Sequence, residues 1–189
     1  MCKIVNNKKG FTMVEMLISM AIFVTALTAI SAIFAFANKS QRTTKAVSDV
    51  QADARFAMEV MAQQVRRGSI DYDSTEYGGS ISSNPQDVLV LRDSSNNQVW
   101  FRRNTSGSQG VVQMSEDGST WVDLTPPDIS VDILKFYLSP STNPFIASPA
   151  TNTQPKVTIT MVTSSLSTRV ETLLPTYLQT TIASRQYTR

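Results

Sequence analysis

The stretch KKGFTMVEMLISMAIFVTALTAISAIFAFA, residues 8–37, decides the fold of this chain. Residues 16–37 contain no charge, glycine or proline, and as an α-helix they would extend for roughly 33 Å. The hydrocarbon core of a bilayer is about 30 Å thick, so this helix is long enough to cross it. Residues 1–10 and residues 38–45 each hold three cations. Because the charges on the two sides balance, the positive-inside rule assigns no orientation.

Composition leaves two ordinary interpretations of this segment open, a plain membrane anchor and a cleaved secretory signal. Ala35, Phe36 and Ala37 form the small-x-small pattern after which signal peptidases cut. Against a signal peptide, the apolar run is longer than the 7 to 15 residues or so that are usual for its hydrophobic region. The residues that follow also continue a helical pattern instead of opening a new domain.

Glu15 fits neither interpretation, because a carboxylate at the head of an apolar run costs several kcal/mol in lipid unless it is neutralised or paired. No Lys or Arg lies three or four residues away to pair with it along its own helix. The partner would therefore be an amine on another molecule. A free α-amino group would serve if the chain were cut before Phe11.

Composition also excludes several chemistries. The 189 residues include no His and a single Cys, Cys2, so a Ser-His-Asp relay, an imidazole metal site, a Cys-rich zinc site and an internal disulfide are all impossible. The net charge is +2 with no basic face, which argues against a nucleic-acid groove. We therefore predict no enzyme activity, no cofactor, no metal site and no nucleic-acid partner. Asp71, Asp73 and Glu76 are interpreted as a solvated acidic loop, and Trp100, Trp121 and Tyr137 as core or half-core aromatics.

The helix is expected to continue far beyond the apolar run, because no Gly or Pro occurs between Phe11 and Arg67. Its weakest part is 38–44, where Ser, Asn and Thr favour a local break. Gly68 then ends it with a positive φ. From position 47 an apolar stripe at spacings of three and four predicts a face that packs on the head, widened by Phe56 and Val60. The stripe consists of Val47, Val50, Ala54, Ala57, Met61 and Val65.

The remainder of the chain is predicted to be β-rich. A connecting loop at 69–86 precedes a series of short strand patterns separated by polar turns, of which Asp117-Gly118 is the strongest hairpin signal. A Pro-rich loop occupies 139–155. Together with the helix these strands predict an α+β fold, a long helix packed against an antiparallel sheet. The predicted strands are 88–92, 99–103, 110–114, 120–124, 129–138, 157–162 and 177–184.

Lys8-Lys9-Gly10-Phe11-Thr12-Met13-Val14-Glu15, followed by the apolar helix, resembles the processing site of type IV prepilins and type II secretion pseudopilins. The resemblance implies that a membrane prepilin peptidase cuts after Gly10 and that Phe11 is methylated. It implies that the leader lysines Lys8 and Lys9 remain in the cytoplasm while the head faces outward. It also implies that Glu15 pairs with the α-amine of a neighbouring subunit during assembly.

Three later segments, 54–59, 65–68 and 178–185, are similar to the minor subunits of the J type and their pilus counterparts. The resemblance implies a structural subunit of the bacterial inner membrane that joins a filament at or near its tip. Its expected partners are the peptidase, other pilins or pseudopilins, the inner-membrane assembly platform and the lipid bilayer. The expected divisions are a leader at 1–10, an assembly helix at 11–37, its amphipathic continuation at 38–68 and the head at 69–189. The alternative is a secreted or single-pass anchored β-rich binding module.

Overall fold

The computed structural model describes residues 10–77, 81, 84–106, 109–145, 153–166 and 175–185. One long helix is followed by antiparallel strands, which confirms the predicted α+β class. By its internal contacts the chain divides into two compact units, with the boundary between Thr43 and Thr44. The elements are α1 (Met13–Arg67), β1 (Ser69–Ile70), a 3-10 turn (Thr75–Tyr77), β2 (Val88–Arg92), β3 (Gln98–Ser106), β4 (Gln109–Ser115), β5 (Val122–Asp123), β6 (Ile129–Ser139), β7 (Lys156–Ser165) and β8 (Thr176–Ala183).

The helix α1 runs for 55 residues without interruption, so the break expected at 38–44 does not occur. The Thr43 hydroxyl donates to the Lys39 carbonyl 3.1 Å away, one turn earlier. A threonine hydroxyl bonded in this way is satisfied within the helix, and the small weakening that such a bond brings does not interrupt it. The predicted weak residues are therefore accommodated within the helix.

The helix ends at Gly68 for a reason other than the one expected. Its φ is not positive, and among the described glycines Gly118 alone has a positive φ, at 74°. A Cβ on Gly68 would lie 2.6 Å from the carbonyl oxygen of Arg92 at the end of β2. The Ser184 hydroxyl also donates to the Gly68 carbonyl, at 2.6 Å. Glycine is needed here because a Cβ would press against the backbone carbonyl oxygens of Arg92 and Gln64.

The first sheet has five strands in the order β1-β2-β3-β4-β5, which is the predicted meander with β1 added. The strand β2 has the predicted bounds, and β4 and β5 flank the expected turn at Asp117-Gly118. After the two residues of β1, residues 71–77 continue to form hydrogen bonds with β2. The Val90 carbonyl accepts from the Asp71 N–H at 3.2 Å, and the Val90 N–H donates to the Tyr77 hydroxyl at 2.7 Å.

The second sheet, β6-β7-β8, resolves an oddity of the sequence. Residues 129–138 alternate with no cleanly apolar face, because the register of β6 against β7 shifts between Val131 and Ile133. The extra residue, Asp132, reverses the alternation. Ile129 and Val131 are buried before it, and the inward positions after it are Leu134, Phe136 and Leu138.

The head core combines the second half of α1 with both sheets. Five stripe residues are buried, and Val47, the sixth, is half-buried. The predicted widening of the stripe is wrong for Phe56, which is 62 % exposed, whereas Val60 is half-buried. On the other side the stripe is widened by Met58 and Ala62, which are buried. At 3.6 residues per turn these two pairs lie on opposite flanks of the same stripe. The buried stripe residues are Val50, Ala54, Ala57, Met61 and Val65.

Candidate membrane and assembly segment

The helix α1 begins with a capped first turn. Thr12 precedes the helix, and its hydroxyl accepts a hydrogen bond from the Glu15 N–H at 3.3 Å. Thr and Glu at this spacing are the residues of a capping box, in which the first residue satisfies a backbone donor left unpaired at the helix start. The carboxylate of Glu15 also lies where the helix dipole favours negative charge. Glu15 therefore has a local structural role in addition to the intermolecular role that the sequence suggested.

The polar side chains of the apolar half of α1 are satisfied within the helix. Each of four hydroxyls donates to a backbone carbonyl three or four residues earlier, at 2.7 to 2.8 Å. In hydrocarbon, where water cannot compensate, such internal bonds remove the cost of carrying a hydroxyl. The segment can therefore enter lipid without a buried unsatisfied hydroxyl at these positions, which are Ser19, Thr25, Thr28 and Ser31.

Large apolar side chains of residues 11–36 point outward on all sides of the helix. Their exposed fractions lie between 46 and 86 %. By length and composition α1 is a helix that could cross a membrane. An apolar surface that surrounds a helix requires lipid or other helices as its environment.

The structure places the remaining predicted site residues as follows. Gly10 is exposed, and nothing lies within 4 Å of the position its Cβ would take. Phe11 is also exposed, beside the expected cleavage point. Lys8 and Lys9 lie outside the described residues, as do parts of the predicted 1–10 leader and 139–155 loop.

Asp71, expected in a solvated acidic loop, is buried, so that interpretation is wrong for this residue. Its Oδ2 lies 3.0 Å from Nη2 of Arg92 and accepts a hydrogen bond from Gln98 Nε2 at 2.6 Å. The ion pair with Arg92 and the hydrogen bond from Gln98 attach the 71–77 segment to β2 and β3. No sequence pattern predicts these contacts, because only strand pairing brings the three residues together. Within the described part of the chain, no cluster of carboxylates, Cys or His suits a metal ion.

Polar clusters of the head are compatible with structural roles. The Arg102 guanidinium stacks on the Trp121 ring at 3.5 Å and donates to the Gln113 side chain, which donates in turn to Asp123 at 2.8 Å. In the following turn, the Asp117 carboxylate accepts bonds from the N–H groups of Thr120 and Ser119 and from the Thr120 hydroxyl, which lowers its pKa.

The predicted aromatics have different environments. Trp100 packs at the edge of the core, as expected. Trp121 is half-buried against Arg102. Tyr137 is 41 % exposed on β6, so its predicted core or half-core position is wrong. The outward position of Tyr137 follows from the shifted alternation of β6.

Comparison of the sequence with known protein families gives a match at the N-terminus. Residues 5–31 match the family model described as the prokaryotic N-terminal methylation motif, the type IV prepilin-like signal. The match includes Gly10, Phe11 and Glu15, and it confirms the resemblance drawn from the sequence. Such a motif implies processing by a prepilin peptidase and assembly with other pilins, and with the long apolar helix it fits a single-pass inner-membrane anchor. No curated protein and no solved structure matched the chain.

Proposed function

We propose that this chain is a minor pilin or pseudopilin subunit, made as a precursor and incorporated at or near the tip of a type IV pilus or type II secretion pseudopilus. The observation that carries the proposal is the methylation motif at 5–31 at the start of a helix with exposed apolar side chains on all sides. A helix of this kind is stable when lipid or neighbouring helices cover it. When the subunit passes from the membrane into a filament, neighbouring helices replace lipid around these side chains.

In this proposal the peptidase removes residues 1–10, and methylation follows at Phe11. Residues 11–37 then anchor and assemble the subunit, with the N-terminus at the cytoplasmic face of the inner membrane. Residues 38–68 continue the helix into the head at 69–189. The role is structural and requires no catalytic group or cofactor.

Glu15 would act as the registry group of assembly. A carboxylate near lipid is stabilised when it meets the α-amine of a neighbouring subunit, and an unpaired carboxylate penalises every other stagger of the two helices. The Thr12 cap supports this role, because it holds the start of the helix regular up to the position of the charge.

The test is the intact mass and N-terminal sequence of the chain recovered from membranes of its native host. We expect a chain that starts at methylated Phe11. A start at Asn38 would mean a secreted β-rich module with an ordinary signal peptide, and a start at Met1 would mean a plain anchor. Either result would contradict the proposal.

A variant separates recognition of the site from general membrane insertion. Gly10→Leu should leave the chain in the membrane with its leader attached, because Gly10 is exposed and its replacement disturbs no packing. Ala37→Leu is the matched control, since it alters the competing signal-peptidase site and should leave processing unchanged.

A further inference from the structure

The two sheets of the head end in different ways. The five-stranded sheet is bounded by β1 and β5, each only two residues long. The strand β8, at the edge of the other sheet, is eight residues long and pairs with β7 at eight consecutive positions without a register shift. Natural edge strands are kept from pairing with other chains by shortness, bulges, charges, proline or a covering helix or loop. The β8 sequence TYLQTTIA is long and has no charge, proline or bulge, and in the described part of the chain no other strand pairs with its outer edge.

A groove lies beside this strand. One wall is formed by Arg55, Met58 and Glu59 of α1, and the other by residues 177–180 of β8. Its volume is about 500 Å³. The walls carry apolar surface from Met58 and Leu178, and the Tyr177 side chain is 75 % exposed. The groove beside β8 is therefore large enough for the side chains of a bound peptide, and part of its surface is apolar.

The groove is lined by one cation, Arg55, and one anion, Glu59. The Glu59 carboxylate is already paired with the Arg66 guanidinium, 2.9 Å away. Arg55 makes no ion pair with any residue in the described part of the chain, and β8 contributes no charge. A ligand that fills the groove would therefore gain from a carboxylate opposite Arg55.

We propose that β8 binds an extended segment of another protein as an additional strand of the sheet, with an acidic side chain of that segment opposite Arg55. The backbone of an open edge offers a row of N–H and C=O groups at the spacing of a strand, which another strand satisfies and a helix does not. The groove supplies side-chain contacts on one face of the added strand. This inference concerns β8 and the second half of α1 and does not depend on the proposed function.

The test measures hydrogen exchange of the full chain in detergent micelles, with and without a probe peptide, acetyl-TVTETVT-amide, at about 1 mM. Alone, outward-facing β8 amides should exchange rapidly while β7 amides are protected. The peptide should slow exchange in β8 and leave β1 and β5 unchanged. The same peptide N-methylated at every residue should have no effect, because it cannot form the backbone bonds. Absence of β8 protection by the first peptide, or equal protection by the methylated one, would overturn the proposal.

Variants test the predicted charge contact. Arg55→Gln should weaken binding of the acidic peptide by about two- to fivefold, the range expected for a partly exposed ion pair. Arg67→Gln, on the same helix but outside the groove, is the control and should leave binding unchanged. Replacing the peptide's Glu by Gln should remove the difference between wild type and Arg55→Gln. Slow hydrogen exchange of the outward-facing β8 amides in the free protein would show that the chain itself covers the outer edge of β8. That result would also reject the proposal.

Discussion

In residues 13–37 of α1, large apolar side chains lie on every side of the helix, whereas in residues 44–67 most of them lie on one buried stripe and its flank, and Phe56 is exposed outside it. The first half has a single charge, Glu15, and its hydroxyls are bonded to their own backbone. The second half carries exposed charges and buries Ala54, Met61 and Val65 in the head core. One continuous helix therefore meets the requirements of two solvents, hydrocarbon first and water second.

The difference shows what each half contributes. The second half is stabilised by packing within the same chain, so its substitutions should change the free energy of unfolding. The exposed side chains of the first half make no core in the described structure, so its substitutions should change assembly and leave the head intact. Substitutions of Glu15 and Met61 test that division, and substitutions of Tyr77 and Thr163 test the packing of the head on which the second half depends.

Glu15→Gln should reduce incorporation into filaments by about tenfold or more, because it removes a charge whose pairing in lipid is worth several kcal/mol. Incorporation is measured by immunoblot of the filament and membrane fractions. Thr12→Ala is the companion variant, which removes the cap of the first turn but keeps the charge. Glu59→Gln, in the second half, should assemble normally. If Thr12→Ala is as defective as Glu15→Gln, then the role of this turn is local helix structure and not intermolecular pairing.

Met61→Ala should destabilise the head by about 2–5 kcal/mol, since Met61 is fully buried and truncation leaves a cavity. Met20→Ala makes the same chemical change in the first half, where the side chain is 66 % exposed, and should leave head stability unchanged. Urea unfolding in detergent, followed by fluorescence of Trp100 and Trp121, measures both. Equal effects of the two variants would contradict the division of the helix.

Tyr77→Phe should destabilise the head by about 1–3 kcal/mol, because the buried N–H of Val90 loses its acceptor. Tyr177→Phe, at an exposed tyrosine, is the control. Burial raises the pKa of Tyr77 above its usual 10.0 and that of Tyr72 to about 12. The folded state thus holds these protons more tightly than the unfolded state. Stability should be full below pH 10 and fall between pH 10 and 12, with a shallower fall in Tyr77→Phe.

Thr163→Val should stabilise the head by about 1 kcal/mol. The buried Thr163 hydroxyl has no hydrogen-bond partner in the described structure, and valine has nearly the same shape without the polar atom. Thr158→Val is the control, because the Thr158 and Thr181 hydroxyls are bonded to each other at 2.8 Å. Thermal unfolding distinguishes them, and destabilisation by Thr163→Val would indicate that its hydroxyl has a partner.

Local patterns were sufficient for several predictions of the fold. The absence of Gly and Pro from Phe11 to Arg67 predicted the length of α1, and alternation with turn residues predicted β2 and the hairpin at Asp117-Gly118. The N-terminal motif was also local, which is why the methylation signal could be recognised in residues 5–31. The Thr12 cap was equally visible as a Thr-x-x-Glu pattern but was missed.

Other features had no local signal. The local composition predicted that Asp71 lies in an exposed acidic loop. In the structure it is buried, because Arg92 and Gln98 reach it from two paired strands. The bulge at Asp132 appears only when β6 is registered against β7. The side on which the stripe widens, toward Met58 and away from Phe56, depends on where the strands cover the helix.

By itself, the sequence determined that this chain has a processing motif, a membrane-length helix and a β-rich head, since each depends on the order of neighbouring residues and on hydrophobic periodicity. Only the tertiary structure decided which flank of α1 is buried, why Gly68 must lack a side chain, and that β8 is an edge strand of the described sheet beside a groove lined by Arg55. These depend on contacts between residues far apart in the chain, and such contacts are set by strand order and register, which no local pattern encodes.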